Sequence, residues 1–282
     1  LYEELEHMQM STEQVRWLLK VLQPEKMLGS LPGAGTLTEN LRAALLGLPP
    51  DVYAAELARA RASAKDAARE LLADSAVCAL VDRLPLRKGA SVIAFGDSLT
   101  ADPESWAVIL SEVFAAHRPA DGISVSIIAV GGDTTTHALV RMGEVVARDP
   151  DWILFLTGVN DARTQGPEPT KTLVDHHETA RNLAELRRRA ARETKAHCLW
   201  LTPPAVIEER VAAHRGLSRF GVRFRNEDIA HVANAVRGLG VPTIDLFSSL
   251  AAPELLMEDG LHLTLAGQRQ VALEVLRGWS QL

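Results

Sequence analysis

Residues 91–100 read Ser-Val-Ile-Ala-Phe-Gly-Asp-Ser-Leu-Thr. A short apolar run rich in β-branched and aromatic residues meets Gly-Asp-Ser, and a helical pattern opens at Pro103. The stretch is therefore predicted as strand, sharp turn, helix. That order puts Ser98 at the carboxyl end of a strand and near the N–H groups of a helix start, where developing negative charge is favoured. A serine in that position is also a common helix cap. The remainder of the chain has to decide between the two roles.

Downstream the alternation continues. Apolar runs at 91–96, 124–130, 152–157, 197–202 and 242–246 read as strands, and the stretches at 103–116, 135–148, 172–194, 226–238 and 265–279 read as helices. Strands this apolar on both faces, separated by helices, imply a parallel sheet between helix layers. The expected fold class is α/β, a three-layer α/β/α domain on a five-stranded parallel sheet. In such sheets ligands bind outside the carboxyl ends of the strands, where strand order reverses.

Upstream, residues 1–88 read as a helical extension and 89–282 as the main domain, with the boundary in Leu84 to Gly89. Ser11-Thr-Glu-Gln14 fits a capping box, and Val15, Leu18, Leu19 and Leu22 recur at helical spacing before Pro24. Gly29 to Gly35 reads as a loop, Thr38 to Gly47 as a short helix, and the stretch after Pro49-Pro50 as a longer helix capped by Asp51. The extension holds no nucleophile, ligand cluster or phosphate loop. Its apolar face needs a partner, either the main domain or a second copy of the chain, so a homo-oligomer through these helices is one expectation.

The chain has 282 residues and a net charge of -6. That balance lacks the basic footprint of a nucleic-acid-binding protein, and its interspersed charges do not suit docking on an anionic membrane. No apolar run approaches the roughly 18 residues of a membrane span. The amino terminus, Leu-Tyr-Glu-Glu-Leu-Glu, is acidic where a secretory signal would be basic. The two cysteines, Cys78 and Cys198, form no C-x-x-C pair and read as reduced thiols. A cytoplasmic protein is expected, with removal of a leader left open by the start at Leu1.

Three further motifs fall after predicted strands or near the carboxyl terminus. Gly131-Gly132-Asp133-Thr134 follows the second strand and lets a substrate oxygen approach a backbone N–H. Gly158-Val159-Asn160-Asp161 follows the third and puts an amide donor at the edge that carries Ser98. Asp259-Gly260-Leu261-His262 sets a carboxylate and an imidazole three residues apart just before a helix. In one tight turn that spacing lets the carboxylate fix the imidazole tautomer while the other ring nitrogen faces the serine. Taken singly, each motif also fits an ordinary turn or cap.

Together with Phe95-Gly96-Asp97-Ser98-Leu99, these motifs resemble, in order and spacing, the four blocks of the SGNH hydrolases, also called GDSL esterases and lipases. The resemblance spans about residues 91–280 and includes Thr202-Pro203-Pro204 after the fourth strand. It implies a flavodoxin-like sheet, with Ser98 as nucleophile, His262 as base and Asp259 as its orienting carboxylate. It also implies an oxyanion hole made by the N–H groups of Ser98 and Gly132 and the side-chain amide of Asn160. Gly132 is taken over Gly131 because the family's glycine is commonly followed by Asp-Thr or Asp-Ser.

The expected activity is that of a serine esterase acting on a small-molecule acyl ester, a short-chain carboxylester or an O-acetyl group. No cofactor and no metal is expected, since His176 and His177 are adjacent rather than one helical turn apart. An acyltransferase with an alcohol acceptor would use the same residues, and a binding protein would have no need to keep them all. The long segment after the fourth strand, Ala205 to Arg225, is expected to shape substrate choice. Its excess of arginine reads either as a solvated helix-loop whose arginines pair with surface carboxylates, or as one or two of Arg210, Arg215, Arg219, Arg223 and Arg225 clamping a substrate carboxylate or phosphate.

Overall fold

The structure, a computed structural model, describes residues 10–28, 33–250 and 252–282. The acidic amino terminus and most of the Gly29 to Gly35 loop lie outside them. Among the described residues no helix is long and apolar enough to cross a membrane.

The first helix, α1 (Thr12–Val21), opens on the expected capping box. Ser11 Oγ accepts from the Gln14 N–H at 3.2 Å, and Gln14 Oε1 accepts from the Ser11 N–H at 2.8 Å. The short α2 (Pro24–Met27) and α3 (Glu39–Leu45) follow, then the long α4 (Pro50–Leu72) and α5 (Ser75–Arg83). Pro49 and not Asp51 occupies the cap of α4. Pro50 lacks the N–H that the first helical position would leave unpaired, so the helix starts there and Asp51 falls in its first turn. A break at Ala73 separates α4 from α5, whose cap Asp74 accepts from the Ala76 N–H at 2.8 Å.

The alternating part runs β1 (Ser91–Gly96), α6 (Ser98–Ala101), α7 (Trp106–His117), β2 (Ser124–Ala129), α8 (Thr135–Arg148) and β3 (Trp152–Leu156). It continues with α9 (His176–Glu193), β4 (His197–Leu201), α10 (Glu208–Ala213), α11 (Arg215–Ser218) and α12 (Asn226–Arg237). The chain ends with β5 (Thr243–Ile244), α13 (Leu246–Ser249) and α14 (Leu265–Trp279). All five strands are parallel in the order β2-β1-β3-β4-β5, the flavodoxin-like arrangement. Strand order reverses between β1 and β3, so the crevice at their carboxyl ends is where a ligand is expected.

Three predicted boundaries move for local reasons. The helix predicted at 103–116 starts at Trp106, because Ser105, accepting from the Val108 N–H, caps α7, and ahead of it Asp97 caps a separate single turn, α6. The helix predicted from 172 starts at His176. Asp175 caps it, while the Leu173 N–H is already donated to the Arg163 carbonyl at 2.7 Å. The fifth strand shrinks to Thr243–Ile244, since Pro242 donates nothing to the ladder and α13 opens at Leu246.

Two apolar cores result. In the smaller, Val15 and Leu19 of α1 pack with Ala43, Leu48 and Tyr53, and Leu18 joins them. The stripe on α1 thus finds its apolar partner within the chain, in the neighbouring helices of the extension. The larger core holds the sheet and its flanking helices, and Ala64, Ala67, Ala68 and Leu71 of α4 and Val77 and Val81 of α5 run into it. Extension and sheet therefore share buried surface, at about 1.5–3 kcal/mol for each large aliphatic side chain buried.

Candidate active site

Ser98 is the first residue of α6, directly after β1, and it does not act as the cap. That role belongs to Asp97, whose Oδ1 accepts from the Leu99 N–H at 3.1 Å. The Ser98 hydroxyl instead stands 3.1 Å from Nε2 of His262. His262 Nδ1 donates to Asp259 Oδ2 at 2.6 Å, which leaves Nε2 as the acceptor facing the serine. Asp259 Oδ1 accepts the N–H groups of Leu261 at 3.0 Å and of His262 at 2.9 Å. The predicted tight turn is real and needs its glycine. Gly260 has φ 70°, and a Cβ there would lie 2.5 Å from the Ile207 carbonyl oxygen.

Asn160 lies in a 3₁₀ turn, Val159–Ala162, after β3. Its Nδ2 donates one hydrogen to the Asp133 carbonyl at 3.0 Å, which fixes the amide and leaves the second hydrogen free. The neighbouring Asp161 ties this turn to the start of α8, accepting from the Thr135 N–H at 2.8 Å, from the Thr135 hydroxyl and from Thr179 Oγ1 at 3.0 Å. Gly132 takes φ 84°, in the left-handed region, with open space where a side chain would stand. Among the described residues, the N–H groups of Ser98 and Gly132 donate to no other backbone group. Ser98, His262 and Asn160 are each 4% exposed and Asp259 is 1% exposed, so their charges act in a dry setting. All five predicted residues thus gather at one edge of the sheet.

The electrostatics follow from burial and pairing. Burial opposes the Asp259 carboxylate, but His262 and the hydrogen bonds outweigh it and hold Asp259 well below the usual range. Burial likewise opposes charge on His262, and Asp259, then Asp102 and Asp97, raise its pKa above the ordinary value. At Asp97 burial outweighs the Leu99 N–H and the nearby His262 and pushes the carboxyl up to about 7, and among the described residues its Oδ2 has no hydrogen-bond partner.

Three residues that the sequence reading passed over lie against this cluster. Trp17 of α1 donates its indole N–H to Asp259 Oδ2 at 2.7 Å. Lys20 is buried between Asp102 at 2.8 Å and Glu104 at 2.7 Å, in the loop that follows α6. Gln268 of α14 donates to the Leu99 carbonyl at 3.2 Å and accepts from the Trp106 N–H at 2.9 Å, tying α6 to α7. Trp17 and Lys20 lie off the apolar stripe of α1. A large aromatic there, beside a lysine one turn away, is the sequence sign of a second contact face.

In the arginine-rich segment several side chains find local partners. Arg210 donates to the carbonyls of Pro253, Leu256 and Met257, bracing the loop that carries Asp259. Arg225 pairs with Glu227 and Asp228, and Arg219 lies over the ring of Phe220. Local carbonyls and carboxylates thus engage Arg210 and Arg225, and Arg223 and Arg225 line the neighbouring cavity. A cavity of about 830 Å³ separates this segment from the loop after β3, and none of the five site residues lines it. His176, facing Asp228 at 3.1 Å and stacked on His231, also belongs to that region. Both cysteines are free, and burial raises the Cys198 thiol to about 11. Among the described residues no cluster of His, Cys, Asp and Glu could hold a metal ion.

A family model, described as the GDSL-like lipase/acylhydrolase family, matches residues 94–270. Solved structures of similar fold include a lipase/acylhydrolase from Enterococcus faecalis, 23% identical, with 68% of this chain and 96% of that chain covered at a TM-score of 0.55. An acetylxylan esterase from Geobacillus stearothermophilus, solved as a catalytic mutant, is 18% identical over 69% of this chain and 95% of its own, at a TM-score of 0.54. An α/β hydrolase from the metagenome of Lake Arreo, Spain, is 20% identical over 69% and 96%, at 0.53. No curated protein matches the sequence.

Proposed function

From the premise that this chain belongs to the GDSL-like lipase/acylhydrolase family and is a serine hydrolase of carboxylic esters, we propose that it cleaves small acyl esters through an acyl-enzyme on Ser98. The observation that carries this reading is the hydrogen-bond chain from Ser98 Oγ through His262 to Asp259, at 3.1 and 2.6 Å. His262 Nε2 takes the serine proton as Oγ attacks the ester carbonyl, then returns it to the leaving alcohol. Water repeats the sequence on the acyl-enzyme and releases the acid. Asp259 holds the imidazole tautomer and offsets the positive charge that forms on it. The N–H groups of Ser98 and Gly132 and the free hydrogen of Asn160 Nδ2 receive the tetrahedral oxyanion.

A small acyl group suits the covered nucleophile. Ser98 is nearly inaccessible, and the end of α1 stands over the glycine pair, where a Cβ on Gly131 would lie 2.3 Å from the Val21 carbonyl oxygen. The 830 Å³ cavity lies elsewhere and offers no bed for a long chain beside Ser98. Acetyl is the acyl group named for the acetylxylan esterase of similar fold. A series of activated esters from acetyl to dodecanoyl tests the reading, and kcat/KM is expected to be highest at two to four carbons and to fall beyond. A maximum at eight carbons or more would contradict it.

A further inference from the structure

Helix α1 has two working faces. Val15, Leu18 and Leu19 point into the small core, while Trp17 and Lys20 point to the cluster around Ser98. Residues 12–21 lie outside the segment that the family model matches. Yet Trp17 makes a hydrogen bond to Asp259 almost as short as that of the imidazole.

Counting donors on Asp259 shows what the indole does. An ionised carboxylate has about four acceptor positions. Oδ1 fills two with the N–H groups of Leu261 and His262, and Oδ2 fills two with His262 Nδ1 and Trp17 Nε1. Without the indole, one buried position on Oδ2 would be empty and only the two N–H groups on Oδ1 would orient the carboxylate against Nδ1. The indole is itself held in place. Its ring lies 5.2 Å from that of His214, and a Cβ on Gly216 would come within 3.0 Å of its Cη2. The segment after β4 thus acts on the site by seating a tryptophan.

We infer that Trp17 is a positioning residue of the active site, its indole N–H fixing the Asp259 carboxylate and, through it, the imidazole of His262. The inference rests on the reading of Ser98, His262 and Asp259 proposed above. Besides Asp259, the charged groups facing His262 are Asp97 and Asp102, and Lys20 of α1 neutralises Asp102. An N–H donated to Oδ2 also draws charge away from Nδ1. Removing it should make His262 more basic while loosening its orientation.

The test compares wild type with Trp17→Phe and Gly216→Ala in the full chain, using an activated aryl acetate and the rate of covalent labelling by a fluorophosphonate. Trp17→Phe is expected to lower kcat about tenfold, the effect of one charge-assisted hydrogen bond, with KM within about twofold. The acid limb of kcat/KM and of the labelling rate should move to higher pH. Gly216→Ala keeps the indole but pushes it, and should move both quantities the same way by a smaller factor, about threefold in kcat. Unchanged kcat and acid limb in Trp17→Phe would overturn the inference, as would a fall in kcat with an unmoved acid limb, which marks a merely structural role. If Trp17→Phe lost its cooperative melting transition, the acid limb of Gly216→Ala would decide in the same terms. Wild type labelled at Ser98 with Trp17→Phe indistinguishable from it removes only the role of Trp17. Wild type unlabelled at Ser98 removes the reading of the site itself.

Discussion

At the sheet edge, Ser98 and Asn160 follow the adjacent strands β1 and β3, whose backbones pair up to Gly96 and Leu156. At α1, Trp17 reaches the same cluster through a side chain alone, across 242 residues of sequence. The first arrangement is held by ladder hydrogen bonds in the centre of the largest core. The second depends on one indole, one buried lysine and a small core of its own. Local opening free energies differ in such cases, so the sheet-edge half is expected to persist under conditions that release α1.

The sheet-edge half breaks most completely at the base. His262→Ala should reduce kcat/KM for an activated acetyl ester by at least about a thousandfold with an unchanged circular dichroism spectrum. A loss below tenfold would place the base elsewhere. The α1 half breaks at Lys20. Replacing it with methionine leaves the Asp102 carboxylate buried without its cation, while Glu104 keeps Arg59 at 2.9 Å. Urea denaturation should show Lys20→Met less stable by about 3 kcal/mol, and equal stability would mean that the buried Lys20 pair does not hold α1.

Asn160→Ala sharpens the comparison within the sheet edge. One oxyanion donor is worth about a hundredfold in kcat, or about 2.7 kcal/mol, with little change in KM. An effect confined to KM would make Asn160 a binding residue. The remaining effect concerns Asp97 and is read as a slope with pH. Its folded pKa of about 7 exceeds the ordinary carboxylate value of about 3.9, so the native state binds more protons than the unfolded chain between these limits. Its contribution to stability therefore falls as pH rises through that window. Asparagine does not titrate, so the melting temperature of Asp97→Asn relative to wild type should climb from pH 4 to 7.5. A constant difference would show that Asp97 does not titrate there.

That Ser98, Asn160, Gly132, Asp259 and His262 come together was legible in the sequence because each lies in a short motif at a strand end or in a single turn, while their roles, and the choice of Gly132 over Gly131, came from the family resemblance. The five strands were legible for the same reason, as apolar runs between helical patterns. Trp17 and Lys20 were not, since their meaning lies in contacts between α1 and segments far along the chain. The apolar stripe on α1 predicted a partner but not which one, and the opposite face carried the contact to the site. For the arginines of residues 205–225 the sequence shows charge without acceptors; in the structure these are loop carbonyls for Arg210 and neighbouring carboxylates for Arg225, the latter in line with the surface-pairing reading. The single turn capped by Asp97 was likewise not marked by any apolar pattern, and Ser105 delays to Trp106 the helix read from 103.

The central claim is that Ser98, activated by His262, is the nucleophile. Intact-protein mass spectrometry after treatment with a fluorophosphonate, followed by peptide mapping, tests it without knowledge of the natural substrate. One adduct on Ser98 is expected in wild type, with none in Ser98→Ala and strongly slowed labelling in His262→Ala. An adduct on another residue, or labelling that persists in Ser98→Ala, would contradict it.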